Sequence, residues 1–221
     1  MKISRLLSIV CIYFASSSMT NAAVLLDNTY VGVYPYIVTA INDPFKHGIA
    51  FHTGSTSYVL NSVTVLPVMV NSTQTGTIDF MLYNADATGK PTSLITSVTR
   101  PTTFKQFGLA SSADYSTSQL DSTFVINKNS NYALVITSSF ASARLAISEP
   151  DTPYSVSNSG LSYLGRVTTS GTTWGTVSPV NNALFRLSGT VVPEPSTYVL
   201  AAIATCMMVY VVRRRNLRPL A

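Results

Sequence analysis

The chain has 221 residues, of which 46% are hydrophobic and only 10% charged, with a formal net charge of +5. Between Val24 and Val192 eight Lys and Arg residues are matched by eight Asp and Glu residues, so the positive excess belongs to the two ends and leaves no basic footprint for nucleic acid on the body. Both cysteines, Cys11 and Cys206, also lie in the end segments, which excludes a disulfide framework for what lies between them.

At the N-terminus, Lys2 and Arg5 precede a mostly apolar stretch from Leu6 to Phe14, and Ser16 to Ala23 supplies small residues. That order is the pattern of a secretory signal peptide, and Thr20-Asn21-Ala22 places its cleavage after Ala22 or one residue later. Residues 1–22 are therefore expected to form a signal helix. An uncleaved anchor is the alternative, although the nine-residue, mostly apolar stretch from Leu6 to Phe14 is too short to span a bilayer. The body, 23–192, is long enough to bury one core, so one domain is expected there.

Along the body, apolar and polar residues alternate in short runs. Strands are expected over Tyr58–Val70, Thr77–Tyr83, Leu94–Thr99, Phe104–Leu109, Thr123–Asn127, Tyr132–Thr137, Arg144–Ser148 and Leu184–Val191, all rich in Val, Ile, Thr, Tyr and Phe. In the first, Tyr58 and Leu60 share a face that Val63 and Val65 take over, which calls for an irregularity at Asn61-Ser62; Pro67 should bend that strand or hold it at an edge. Turn clusters separate the runs at 71–76, 84–91, 127–131 and 155–160, with Gly76 and Gly89 free to take positive φ. No stretch of the body carries sustained helical periodicity. The expected fold is mainly β, an antiparallel β-sandwich of jelly-roll type. Phe51-His-Thr-Gly54 leading into Tyr58–Val65, Phe80–Asp86 with Gly89-Lys-Pro91, and Asn131–Ile136 also resemble the exported choice-of-anchor domains, type R most closely. That resemblance implies an exported β-sandwich and carries no chemistry over.

Catalytic constellations find little support. His47 and His52 would fall on opposite faces of an extended segment, and without cysteine or an acidic cluster they make a poor zinc site. No Gly-x-Ser-x-Gly elbow occurs. Glu149 and Asp151, flanked by Pro150 and Pro153, are the paired carboxylates a secreted hydrolase would need, but acids adjacent in one loop are more often solvated than opposed across a cleft. Asn84-Ala-Asp86 could offer oxygens to calcium, yet with one carboxylate it reads as a hairpin turn. We expect no enzyme activity, no metal and no cofactor. Trp174, the sole tryptophan, sits in a Gly-rich polar segment near Tyr154 and Tyr163. Its ring is either a platform for sugars or a core plug where a loop closes over the sandwich, and the plug is the expectation.

The chain ends on Pro193-Glu194-Pro195, an uncharged apolar run from Ser196 to Val212, and Arg213, Arg214 and Arg215. The prolines should keep the tripeptide extended and open to a protease. The run, if helical, reaches roughly 25 Å at about 1.5 Å per residue, the lower limit for a transmembrane helix, and the arginines would hold its end in the cytoplasm. This order, 193–221, resembles the PEP-CTERM sorting signal. The resemblance implies an exosortase-type membrane peptidase as partner, transient residence in the inner membrane, transfer of the body to the envelope or exterior of a double-membraned bacterium, and a setting of exopolysaccharide and biofilm. An ordinary, unprocessed anchor is the alternative. The expectation is a non-catalytic surface or matrix protein, with binding of a matrix polysaccharide as the second reading and a secreted hydrolase as a distant third.

Overall fold

The computed structural model describes residues 22–29, 37–42, 45–147, 157–158, 160–170, 173–178, 184–193 and 195–216. Residues 1–21 of the expected signal peptide, Glu149, Asp151 and Glu194 lie outside these residues. Contacts divide the chain into two units, one ending at Val191 and the other beginning at Val192.

The first unit is mainly β. Its strands are β1 (Ala23–Asp27), β2 (Ile37–Ala40), β3 (His47–Thr53), β4 (Tyr58–Val65), β5 (Pro67–Met69), β6 (Gln74–Ala85), β7 (Pro91–Gln106), β8 (Ser116–Gln119), β9 (Val125–Ile126), β10 (Asn131–Thr137), β11 (Ala143–Ile147), β12 (Ser157–Asn158), β13 (Leu161–Ser170), β14 (Thr173–Trp174) and β15 (Phe185–Val191). They form a six-stranded sheet in the order β12-β1-β15-β4-β8, with β9 also paired to β4, and a nine-stranded sheet in the order β14-β13-β3-β10-β6-β7-β5-β11-β2.

One hydrophobic core draws side chains from both sheets. Tyr58, Leu60, Val63, Val65, Phe185 and Leu187 come from the smaller sheet; Ile49, Phe51, Phe80, Leu82, Leu134 and Ile136 come from the larger. Alternation along each strand delivers them, because successive side chains point to opposite faces. In β4 the alternation changes phase where expected: the register with β15 passes from Ser62↔Ser188 to Leu60↔Gly189, leaving Asn61 as the extra residue of a bulge that returns Tyr58 and Leu60 to the core.

Two expectations need correction. The sheets are not wholly antiparallel: β5 pairs β7 in parallel, with Val68 opposite Lys105 and Met69 opposite Gln106. Pro67 fits this arrangement as the first residue of β5, where a missing N–H costs least. The runs expected as two strands, Leu94–Thr99 and Phe104–Leu109, are one strand of 16 residues, because β6 runs alongside from Gln74 to Ala85 and gives the polar residues between them ladder partners.

The second unit holds the helix α1 (Pro195–Asn216), separated from the last residue of β15 by three residues. Here the sequence expectation fails for Pro195, which enters the helix as its first residue: at that position the absent N–H has no intrahelical partner to lose, and its fixed φ already suits the helix. Pro193 lies outside helix and strand, and is exposed.

Candidate functional site

Three places on the described residues have the side chains that function would use: the outer face of the nine-stranded sheet, the rim of its inner face at β3 and β13, and the C-terminal tail.

The outer face has a floor of small residues. Gly48 and Ala50 of β3, Ala133 and Val135 of β10, and Val167 of β13 all point away from the inter-sheet core, yet Ala50, Ala133, Val135 and Val167 are fully buried. What covers them comes from either side. The turn after β6 lays Gly89 on the floor at φ 89°, where a Cβ would stand 2.9 Å from the Cβ of Ala50. From the opposite edge β14 turns back along β13, pairing Trp174 with Thr169, and the half-buried indole meets the half-buried Tyr83 of β6 edge-on at 6.1 Å. Gly48 leaves room for this layer of packing, since a Cβ there would come within 2.6 Å of a Val167 methyl. Trp174 thus lies outside the side chains that form the inter-sheet core.

The Asp86 turn that shares this face is satisfied by its own protein groups. Asp86 Oδ1 accepts from the Thr88 hydroxyl at 2.6 Å and from the backbone N–H groups of Thr88 and Lys90 at 2.8 and 3.0 Å. The Thr88 hydroxyl first, then the Lys90 amide, hold its carboxyl below the ordinary range. Its backbone carbonyl accepts from the Asn131 amide at 2.9 Å, and Asn131 Oδ1 in turn bonds His52 Nδ1 at 2.7 Å. A carboxylate so engaged closes a hairpin. Among the described residues no group of three His, Cys, Asp or Glu side chains stands close enough to hold a metal.

His47 and His52 do fall on opposite faces of β3. His52 joins the polar network just described; His47 points inward with Ile49 and Phe51 and is fully buried. Neither ring nitrogen of His47 has a hydrogen-bond partner. Its neighbours across the ladder are Ile136 on β10 and Thr168 on β13. Two residues back along β13, Arg166 stands opposite Ile49 on the same face, half-buried, and Tyr163 stands opposite Phe51 with its ring 6.0 Å from Phe185 of the other sheet. Burial, and after it the Arg166 charge, push the His47 pKa down from 6.5 to about 3, so the imidazole is neutral. Burial also lowers Arg166 and raises Tyr163. Among the described residues the Arg166 guanidinium has neither a carboxylate nor a hydrogen-bond acceptor. No single position in the sequence marks this trio; only the β3–β13 register brings it together.

In the tail, α1 carries Ile203, Met207, Met208, Val209, Tyr210 and Val211 exposed on all sides, with no polar stripe between them. The basic block closes the helix, so three cations sit in the last turn, where the helix dipole favours positive charge. The expected transmembrane helix is not borne out: among the described residues no helix is long and apolar enough to cross a membrane. An apolar run of roughly 25 Å falls short of a hydrocarbon core of about 30 Å.

The tail runs in a fixed order: a strand ending at Val191, a Pro-Glu-Pro tripeptide whose second proline opens the helix, a mostly apolar helix and terminal arginines. Residues 191–215 match the family model of the PEP-CTERM protein-sorting motif. A PEP-CTERM motif implies an exosortase partner, export, and processing while anchored at the membrane. The match takes in Pro193, Glu194, Pro195, Arg213, Arg214 and Arg215, and apart from Val191, the last residue of β15, it lies in the second unit. The chain has no match among curated proteins.

Proposed function

We propose that the chain is a non-catalytic surface or extracellular-matrix protein, a β-sandwich delivered by its PEP-CTERM tail through an exosortase-type peptidase in an exopolysaccharide or biofilm setting. The observation that carries this reading is the tail itself, where a motif match coincides with a break of three residues between β15 and α1. Pro193 lies exposed within that break, and a short segment outside regular structure is what a peptidase active site accepts. Intact-mass measurement on the surface fraction tests it. A chain ending between Pro193 and Ser196 is expected, and recovery there of protein still carrying Arg213 to Ala221 would favour an ordinary retained anchor.

One observation favours a second reading, binding of a matrix polysaccharide. Trp174 and Tyr83 meet on the outer face of the large sheet, each residue only half-buried, and amphipathic rings of this kind suit stacking on sugars. A glycan array probed with the exported protein and with its Trp174→Ala variant separates this role from that of a scaffold: sugar binding lost in the variant supports it, and no binding by either removes it.

A further inference from the structure

The rim of the inter-sheet core at β3 and β13 presents a polar problem that the sorting role does not explain. His47 is fully buried with both ring nitrogens unpartnered, and a buried imidazole left so is costly unless something polar reaches it. On the same face the half-buried Arg166 has its guanidinium unmatched by any acid among the described residues, whereas Arg100, Lys105 and Arg186 each have a carboxylate, in Asp121, Asp114 and Asp27. A partly desolvated cation and an orphaned N–H at diagonal positions on one face of the β3–β13 pair make a site for an anion.

We propose that Arg166 and His47 form a binding site for a single carboxylate, with the Arg166 guanidinium at the mouth and the His47 imidazole behind it. The charge count selects this class. Neutral His47 contributes a donor but no charge, so Arg166 supplies one positive charge, which one carboxylate balances; a phosphate dianion would leave a charge uncompensated where water is partly excluded. Shape selects it as well, because the planar guanidinium fork matches two carboxylate oxygens. The half-buried Thr168 beside His47 adds a hydroxyl. A free organic acid and a uronic acid unit of a glycan share this chemistry.

The test uses the full chain in detergent at fixed ionic strength and neutral pH, with sodium chloride replaced stepwise by sodium acetate or, in a second arm, by oligogalacturonate. Melting temperature and the His47 ring resonances are followed together. A saturable rise in melting temperature with a matching shift of the His47 signals is expected. Saturation by acetate identifies a small-acid site, and saturation by oligogalacturonate alone identifies an acidic glycan. Arg166→Gln should remove both effects and Arg166→Lys should keep part of them. Should Arg166→Gln fail to fold, the wild-type titration still decides: His47 signals and melting temperature identical in chloride, acetate and oligogalacturonate would overturn the proposal. Inorganic phosphate producing the same shift as acetate would also overturn the choice of a carboxylate.

Discussion

The β unit and the tail differ in what their apolar residues are for. In the body they mostly alternate with polar ones, so that a strand such as β6 buries one face; its Ile78, Phe80 and Leu82 are fully buried while Asp79, Met81 and Tyr83 alternate with them and are only half-buried. In α1 they run from Tyr198 to Val212 with only Thr205 between them, and Ile203, Met207, Met208, Val209, Tyr210 and Val211 are exposed around the helix. The lesson is that hydrophobicity specifies a fold only through its period. An apolar run without a polar face has no place for water-facing side chains, and its solution is a lipid surface or a protein partner. The matching of charge follows the same division, since the body balances its own charges and the tail leaves three adjacent arginines for an external field to act on.

That contrast can be broken most severely in the inter-sheet core. Phe80→Ala removes a fully buried ring between the sheets and should cost about 3 to 5 kcal/mol, measured by urea unfolding of the β unit's tyrosine and tryptophan signals. A cost below about 1 kcal/mol would mean that the two sheets do not share the core described here.

Acid should act next, through His47. In the folded protein its pKa is about 3, against 6.5 for the exposed group, so below pH 6.5 the unfolded chain binds a proton that the folded one refuses. Its contribution is therefore complete above pH 6.5 and is lost progressively as the pH falls towards 3. The carboxylates add to this only lower down. Partial burial pushes Asp27 up, but the hydrogen bonds from Thr29 and Arg186 and the guanidinium's charge outweigh it and hold the group below its ordinary 3.8. Asp114 is also held down, chiefly by the Ser111 amide. Loss of stability between pH 6.5 and 4 is thus the part assigned to His47. It should be absent in His47→Leu, which removes the titrating ring; an unchanged slope in that variant would place the acid sensitivity elsewhere.

A smaller effect is expected at Trp174. With the ring half-buried on the outer face and outside the inter-sheet core, Trp174→Ala should cost roughly 1 to 3 kcal/mol, less than the core substitution. Fluorescence checks the placement, since this is the only indole in the chain: partial quenching by iodide is expected. Full protection together with a loss as large as that of Phe80→Ala would return the ring to the core.

What the sequence disclosed, and what it hid, follows from burial. Tyr58–Val65, Tyr132–Thr137 and the strand ending at Val191 were legible because they alternate or form short apolar runs. β3 was not, because His47-Gly-Ile-Ala-Phe-His-Thr53 is covered on both faces and mixes small, polar and apolar residues without a period. Nor were β13 and β14, whose value lies in long-range pairing: Arg166 meets Ile49, and Trp174 reaches Tyr83, across separations no local pattern encodes. The tail was legible as an order of parts, while the entry of Pro195 into the helix depends on which single residue starts α1, a boundary that composition leaves open.

The smallest effect should come from chelator and reductant, and it separates a hairpin from an ion site. Asp86 Oδ1 already receives three donors, two backbone N–H groups and the Thr88 hydroxyl, so its oxygen is committed to the turn rather than presented to solvent. Calcium ligation would need several further oxygens at about 2.3 to 2.6 Å, and the turn offers one carboxylate. Reductant has as little to act on, since the one cysteine of the described residues is the free thiol of Cys206 in α1. Differential scanning calorimetry in EDTA, in dithiothreitol and in neither should give the same melting temperature for the β unit. A drop in EDTA that added calcium reverses, and that Asp86→Asn abolishes, would convert the turn from a self-satisfied hairpin into a cation site.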